Sequence, residues 1–210
     1  MLLGHWADFS DQDKLEMLLE IVHDAERVGR LIDELLDVSR LDSGRLRLHV
    51  RETSLSELAE RVAAKVKLSY PALDAVVDLP EQLPTVAVDP FKIEQVLANL
   101  LENACKYGSG AGVRVTGAYA AGPGGGEVCV SVSDGGPGIS AEDLPHVTEK
   151  FFRGVDSKPS GLGLGLWISK GIVEAHGGKL TLASPSGEGT TVRFTIPLRD
   201  QARAGKLQGT

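Results

Sequence analysis

Three stretches of this 210-residue chain combine residue types and spacings that could do chemistry. The first, Gln95-Val-Leu-Ala-Asn99-Leu-Leu-Glu102-Asn103-Ala-Cys-Lys106-Tyr107, reads as helix. Asn99 and Asn103 share one helical face, and Glu102 and Lys106 form a second four-apart pair on the adjacent face. Amide oxygens one turn apart suit a hard cation such as Mg2+, which keeps waters and leans on phosphates. In the second stretch, Val132-Ser-Asp134-Gly-Gly136-Pro-Gly138-Ile139, a carboxylate at a strand end meets a glycine bend. Asp134 could accept a hydrogen bond from an exocyclic amine such as that of adenine, with Gly136 and Gly138 letting a planar ligand approach the backbone. The third, Gly161-Leu162-Gly163-Leu164-Gly165-Leu166-Trp-Ile-Ser169-Lys170, has glycines at every second position running into a helix and exposes amides at its positive end, an anion site in physical terms. Each stretch alone has an ordinary reading as well: a polar helical stripe, an Asp-Gly turn, a glycine-rich helix entry.

Composition limits the choices. With 42% hydrophobic and 24% charged residues the chain is globular rather than disordered. Twenty-five glycines and ten prolines are too many for an all-helical bundle. A net charge of −7 argues against a broad nucleic-acid surface. Two cysteines, Cys105 and Cys129, supply no disulfide framework, so a reducing compartment is the default. No apolar run approaches the roughly 18–20 residues that span a bilayer. The expectation is a soluble cytoplasmic chain with no membrane segment, whose parent protein could still be anchored in the inner membrane.

The elements that must position these stretches follow from periodicity. Leu15 to Leu41 carries apolar residues at helical spacing, opened by a Ser10/Asp13 capping box and stopped near Gly44. This rod of roughly 45 Å has a wide apolar face and requires a partner, which residues 1–9 cannot supply. Arg45–Val50 alternates as a strand, and Ser54-x-x-Glu57 opens a helix to about Ser69. Val76–Leu79 and Thr85–Val88 read as strands around a proline-flanked turn, and Asp89-Pro90 caps the Asn-bearing helix. Strands at Val113–Ala120 and Glu127–Ser133 flank a glycine-rich hairpin, Gly122–Gly126. Residues 134–162 are irregular apart from a short helix near Ala141–Leu144, as in a functional lid. A helix over Gly163–His176 and strands at Lys179–Ala183 and Thr190–Pro197 close the pattern.

The order of the motifs is more specific than any one of them. Asn-x-x-x-Asn helix, Asp-x-Gly-x-Gly turn, Phe151-Phe152-Arg153 and Gly-x-Gly-x-Gly together resemble the catalytic ATP-binding domain of two-component sensor histidine kinases, within the gyrase/Hsp90/MutL superfamily. The likeness spans roughly Arg45 to Leu198. It implies an α+β fold, a two-layer sandwich with a mixed sheet covered on one face by helices. It divides the chain into a partial dimerisation region (1–44, with 35–44 resembling the end of the second dimerisation helix), a catalytic domain (45–198) and a flexible tail (199–210). The cofactors implied are ATP and Mg2+.

The resemblance also places roles. Asn103 would hold Mg2+ with help from Asn99, Lys106 would approach phosphate, and Tyr107 would pack near the nucleotide. Asp134 would take the adenine amino group in a pocket shaped by Gly136, Gly138 and Ile139. Phe151 and Phe152 would join the nucleotide pocket, and Arg153 would neutralise charge on the transferring phosphate. Gly161, Leu162, Gly163, Leu164 and Gly165 would form the lid hinge and phosphate contacts, with Thr190 beside the site. Asn99 stands where the superfamily's ATPases carry a glutamate base. An amide is a poor base and Glu102 lies about 100° around the helix from Asn103, so transfer to a protein acceptor is favoured over hydrolysis.

No His-Glu/Asp-x-x-Thr/Asn-Pro-like acceptor stretch surrounds any of the five histidines, His5, His23, His49, His146 and His176. The chain therefore reads as truncated, with its phosphoacceptor helix missing and self-phosphorylation doubtful. Implied partners are a response-regulator receiver domain and a second copy through the helical region. Two alternatives stay open: a superfamily ATPase clamp, and a non-catalytic nucleotide-sensing dimerisation module.

Overall fold

The structure, a computed structural model, describes residues 9–108, 110–122, 126–154, 161–185 and 187–198, without the side chains of positions 23, 26 and 27. His5, the hairpin tip at 123–125, residues 155–160 of the lid and the tail from 199 lie outside the described residues, as does the side chain of His23.

Helix α1, Asp11–Asp42, opens on the expected capping box, Ser10 accepting from the Asp13 amide while the Asp13 carboxylate accepts from Ser10. Strand β1 is Arg51–Thr53, helix α2 Leu55–Ser69, strands β2 and β3 Ala75–Asp78 and Val86–Val88, and helix α3 Pro90–Tyr107. Strands β4 and β5, Val113–Ala120 and Glu127–Asp134, precede helix α4, Gly165–Ala175, and strands β6 and β7, Leu180–Ala183 and Thr190–Pro197.

Five strands form one mixed sheet in the order β2-β4-β5-β7-β6, parallel at β2–β4 and antiparallel elsewhere. Strand alternation builds its two faces. Val115, Val132 and Val192 align across the register, as do Val130 and Phe194, and all are buried. They meet Leu97, Leu101, Ile168 and Ile172 of α3 and α4 in one apolar core, with Leu58 and Val62 of α2. Arg114, Ser133, Ser131 and Arg193 occupy the other face. This is the expected α/β sandwich.

Two local readings are corrected. Residues 45–50 are not a strand: the Arg45 amide closes the end of α1 on the Arg40 carbonyl and the His49 amide donates to Asp89 Oδ2, so pairing with β3 starts only at Arg51. Residues 141–144 form turns rather than a helix, because Pro145 has no amide to extend the bond from Leu144 to Ser140. β2 and β3 do not pair with each other; β3 joins β1 in a separate two-stranded sheet.

Part of α1 finds its partner within the chain. Asp37, buried, accepts from Lys92 Nζ at 2.7 and 2.9 Å and from Gln95 Nε2 at 2.8 Å. Leu41 packs on Gly171 of α4, and Asp42 pairs with Lys150, whose ammonium lies 4.5 Å from the Trp167 ring centroid. Leu15, Leu18, Leu19, Val22, Val28, Ile32, Leu35 and Leu36 remain about half exposed, so most of the apolar stripe is still uncovered. Among the described residues no helix is long and apolar enough to cross a membrane.

Candidate functional site

Helix α3 is the spine of the site, and Asp89 sets its start. Asp89 Oδ1 caps the Phe91 and Lys92 amides, and the Asp89 amide donates to Nε2 of the buried His176. Val96, Leu97, Leu100 and Leu101 anchor the opposite side in the core, which leaves Asn99, Glu102, Asn103 and Lys106 half-buried along one edge.

At the far end of α3 stands Asp134, the last residue of β5. Its Oδ1 accepts from the Gly136 amide at 2.8 Å and lies against Gly108, where any Cβ would come within 2.7 Å. Gly136 in turn abuts the Gly108 Cα, so the Asp-Gly turn is packed on the helix terminus. The closing hairpin braces this turn from behind. Buried Ser184 accepts from the Ile139 amide at 2.7 Å, donates to the Gly189 carbonyl at 3.0 Å and lies 3.0 Å from the Thr190 hydroxyl. Thr190 is the register partner of Asp134. Gly189 (φ 84°) passes so close to the Asp134 carbonyl that a Cβ there would collide with it.

Asn99 faces the start of α4. Its Nδ2 donates to Ser169 Oγ at 2.9 Å, and its Oδ1 lies against Gly165. From Gly165 the contacts continue to the aromatic motif. Gly163 accepts from the Phe151 amide at 3.1 Å and leaves no room for a Cβ beside the Phe152 carbonyl. Phe151 has φ 62°, the one non-glycine with positive φ among the described residues, and is largely exposed. Phe152 stacks at a tilt on His146, with centroids 5.9 Å apart. A continuous run of contacts thus links Asp134, α3, Asn99, Gly165, Gly163 and the Phe151–Phe152 pair.

Not every expected residue turns toward this line. Leu164 is fully buried in the core, so only its backbone can serve a ligand. Lys106 Nζ is held by Glu102 at 2.8 Å and lies 6.0 Å from the Tyr70 ring centroid. Burial works against the Lys106 charge, but the Glu102 carboxylate, with Tyr70, outweighs it and holds the ammonium above the usual lysine range. Burial, with Glu102 adding to it, pushes the Cys105 thiol up. Tyr107 is half exposed at the helix end, Gly161 and Leu162 lie on the surface and Arg153 sits just beyond Phe152. Sequence reasoning missed Ser169, Ser184 and Tyr70. Ser184 is a single serine outside any motif and Ser169 ends the glycine-run stretch without an assigned role, so only their burial against the site gives them away.

The donor set fits a nucleotide with magnesium. Among the described residues no group of three or more His, Cys, Asp or Glu could hold a metal alone. A cation here would rely on amide oxygens, water and phosphate, the pattern of Mg2+. Asp134 offers a half-buried acceptor at one end, and the glycine-lined start of α4 offers amides at the other. A separate cleft of about 690 Å³, lined by Leu41, Leu46, Lys150, Trp167, Lys170 and Glu174, lies at the foot of α1 and shares none of these groups.

The sequence profile of the histidine kinase-, DNA gyrase B- and HSP90-like ATPases matches residues 88–200. The chain belongs to this family. Its histidine-kinase-type ATP-binding domain is similar to the adaptive-response sensory kinase SasA of Synechococcus elongatus, 33% identical over 175 residues, covering 81% of this chain and 44% of that protein. It is similar to the sensor histidine kinase WalK of Bacillus subtilis, 32% identical over 203 residues, covering 94% of this chain and 33% of WalK. Among solved structures, full-length ShkA in complex with AMPPNP superposes with a TM-score of 0.74 at 25% identity, covering 91% of this chain and 40% of that one. The catalytic domain of histidine kinase ThkA, solved nucleotide-free, gives 0.59 at 28% identity, covering 72% of this chain and 97% of ThkA's. The chain spans less than half the length of these curated relatives.

Proposed function

We propose that this chain is the cytoplasmic, ATP-handling part of a sensor histidine kinase. It transfers the γ-phosphate to a histidine on a helix outside these residues, for relay to a response-regulator receiver domain. Residues 1–44 belong to the dimerisation region and 45–198 to the catalytic domain, with the exposed stripe of α1 covered by a second copy. The observation that carries this reading is the convergence of Asp134, Asn99, Gly163, Gly165 and the Phe151–Phe152 pair along one edge of α3. The nucleotide-bound relative adds support, having been solved with an ATP analogue.

Asp134 accepts the adenine amino proton, while Gly136, Gly138 and Ile139 shape the pocket around the ring. Asn103, with Asn99 Oδ1, would hold Mg2+, which would supply positive charge against the phosphates. Amides of the Gly161–Gly165 run face the phosphates at the start of α4. The acceptor imidazole nitrogen forms a bond to the γ-phosphorus as the bond to the β-bridging oxygen breaks, and ADP leaves. Arg153 neutralises charge on the transferring group. Glu102 is tied to Lys106 and Asn99 is an amide, so neither is placed as a water-activating base, which favours transfer over hydrolysis. Lys106 must exchange Glu102 for phosphate to take part.

Calorimetric titration with a non-hydrolysable ATP analogue and Mg2+, followed by labelled γ-phosphate transfer to a supplied acceptor helix, tests the proposal. Micromolar to millimolar binding and acid-labile label on the acceptor are expected. Binding with steady phosphate release and no acceptor labelling selects the ATPase reading. Absence of analogue binding with dimerisation intact selects the non-catalytic dimerisation module.

A further inference from the structure

Ser169 closes the glycine-run stretch, where no motif gives it a role, yet it is 1% exposed and its hydroxyl touches Asn99. Its Oγ accepts from Asn99 Nδ2 at 2.9 Å, which fixes the donor end of that amide toward α4. The acceptor end, Oδ1, lies against Gly165 in the first turn of α4, where a Cβ would collide with it. A carboxamide has one donor end and one acceptor end, and only the oxygen can face a cation or its water shell. Which way the Asn99 amide lies therefore decides whether it assists or opposes metal binding.

We propose that Ser169 is a positioning residue for the magnesium–phosphate end of the site, holding the Asn99 amide with its oxygen toward the start of α4. This deepens the nucleotide reading and rests on it. Without the hydroxyl, the amide is free to turn by 180° and present its NH2 to the cation. Partners that orient metal ligands from behind are worth about 10–100-fold in metal affinity. Gly165 serves the same end, because any side chain there would occupy the place of the amide oxygen.

The test compares calorimetric affinity of the whole chain for a non-hydrolysable ATP analogue, in saturating Mg2+ and in EDTA. Ser169→Ala is expected to weaken the Mg2+-dependent affinity about tenfold and leave the EDTA value within about twofold. Ser169→Thr, which keeps the hydroxyl, is expected to restore the loss. In an Asn99→Asp background the two oxygens are equivalent, so adding Ser169→Ala should change the Mg2+-dependent affinity by less than about twofold. Equal losses in Mg2+ and EDTA, no loss at all, or the same tenfold loss beside Asn99→Asp would each overturn the inference. A wild-type chain that binds no nucleotide in either condition instead overturns the reading of the site itself, and this inference with it.

Discussion

The two ends of the site are built on different principles. The Asp134 end is part of the sheet: its aspartate closes β5, pairs with Thr190 across the ladder, and is braced by Ser184 and Gly189 of the closing hairpin. Among the described residues the lid end is made of turns and a helix start, whose ties include the amide–hydroxyl bond from Asn99 to Ser169, the backbone bond from Phe151 to Gly163 and the Lys150–Asp42 ion pair. Ladder bonds open only with the sheet, whereas turns open locally at low cost. The proposed phosphotransfer would use that division, a fixed recognition end and a phosphate end that can admit and release substrate.

Breaking the rigid end should do the most damage. Gly189→Ala forces a side chain onto the Asp134 carbonyl at φ 84°, and is expected to cost about 3 kcal/mol or more. Thermal melting should drop by roughly 6–12 °C, with nucleotide binding lost in parallel. A melting curve like that of the wild type would mean the two strands are less tightly joined than they look.

Arg153→Ala probes the opposite end. Transfer to a supplied acceptor is expected to slow by about 10²-fold while analogue binding changes by less than about twofold. Asp134→Asn should show the reverse pattern, with binding weakened by about 10–100-fold. Its melting temperature should hold, since the asparagine oxygen still accepts from Gly136. Similar losses of binding and transfer in both variants would erase the distinction between the ends.

The smallest effect concerns α1. Burial raises the Glu34 carboxyl above its usual range, Lys106 opposes this and Glu102 adds to it. The folded state therefore holds that proton more readily than the unfolded chain, and the contribution of Glu34 to stability falls as pH rises through the carboxylate range. Glu34→Gln should raise the melting temperature slightly at pH 7, with the gain vanishing below about pH 4 where both states are protonated. A gain that persists in acid would place its origin elsewhere than in charge.

Much of the site was legible because its motifs are local. Asp89-Pro90 announces α3, the four-residue spacing puts Asn99 and Asn103 on one face, and alternate glycines mark the entry to α4. What escaped depends on partners distant in sequence. Arg45–Val50 alternates like a strand, but His49 gives its amide to Asp89, forty residues on. The foot of α1 carries Asp37, which reads as a solvated charge until Lys92 and Gln95 close on it. Ser169 and Ser184 are ordinary serines until folding buries them against Asn99 and Ile139.

The order of helix, turn, aromatic pair and glycine run belongs to the sequence alone, because periodicity and turn chemistry act over a few residues. Tertiary structure decided which groups meet: that Asn99 is oriented by α4, that Asp134 rests on the end of α3, and that Lys106 is held by Glu102. Those choices turn on packing between helices and strands far apart in the chain, where a difference of an ångström separates a ligand from a bystander.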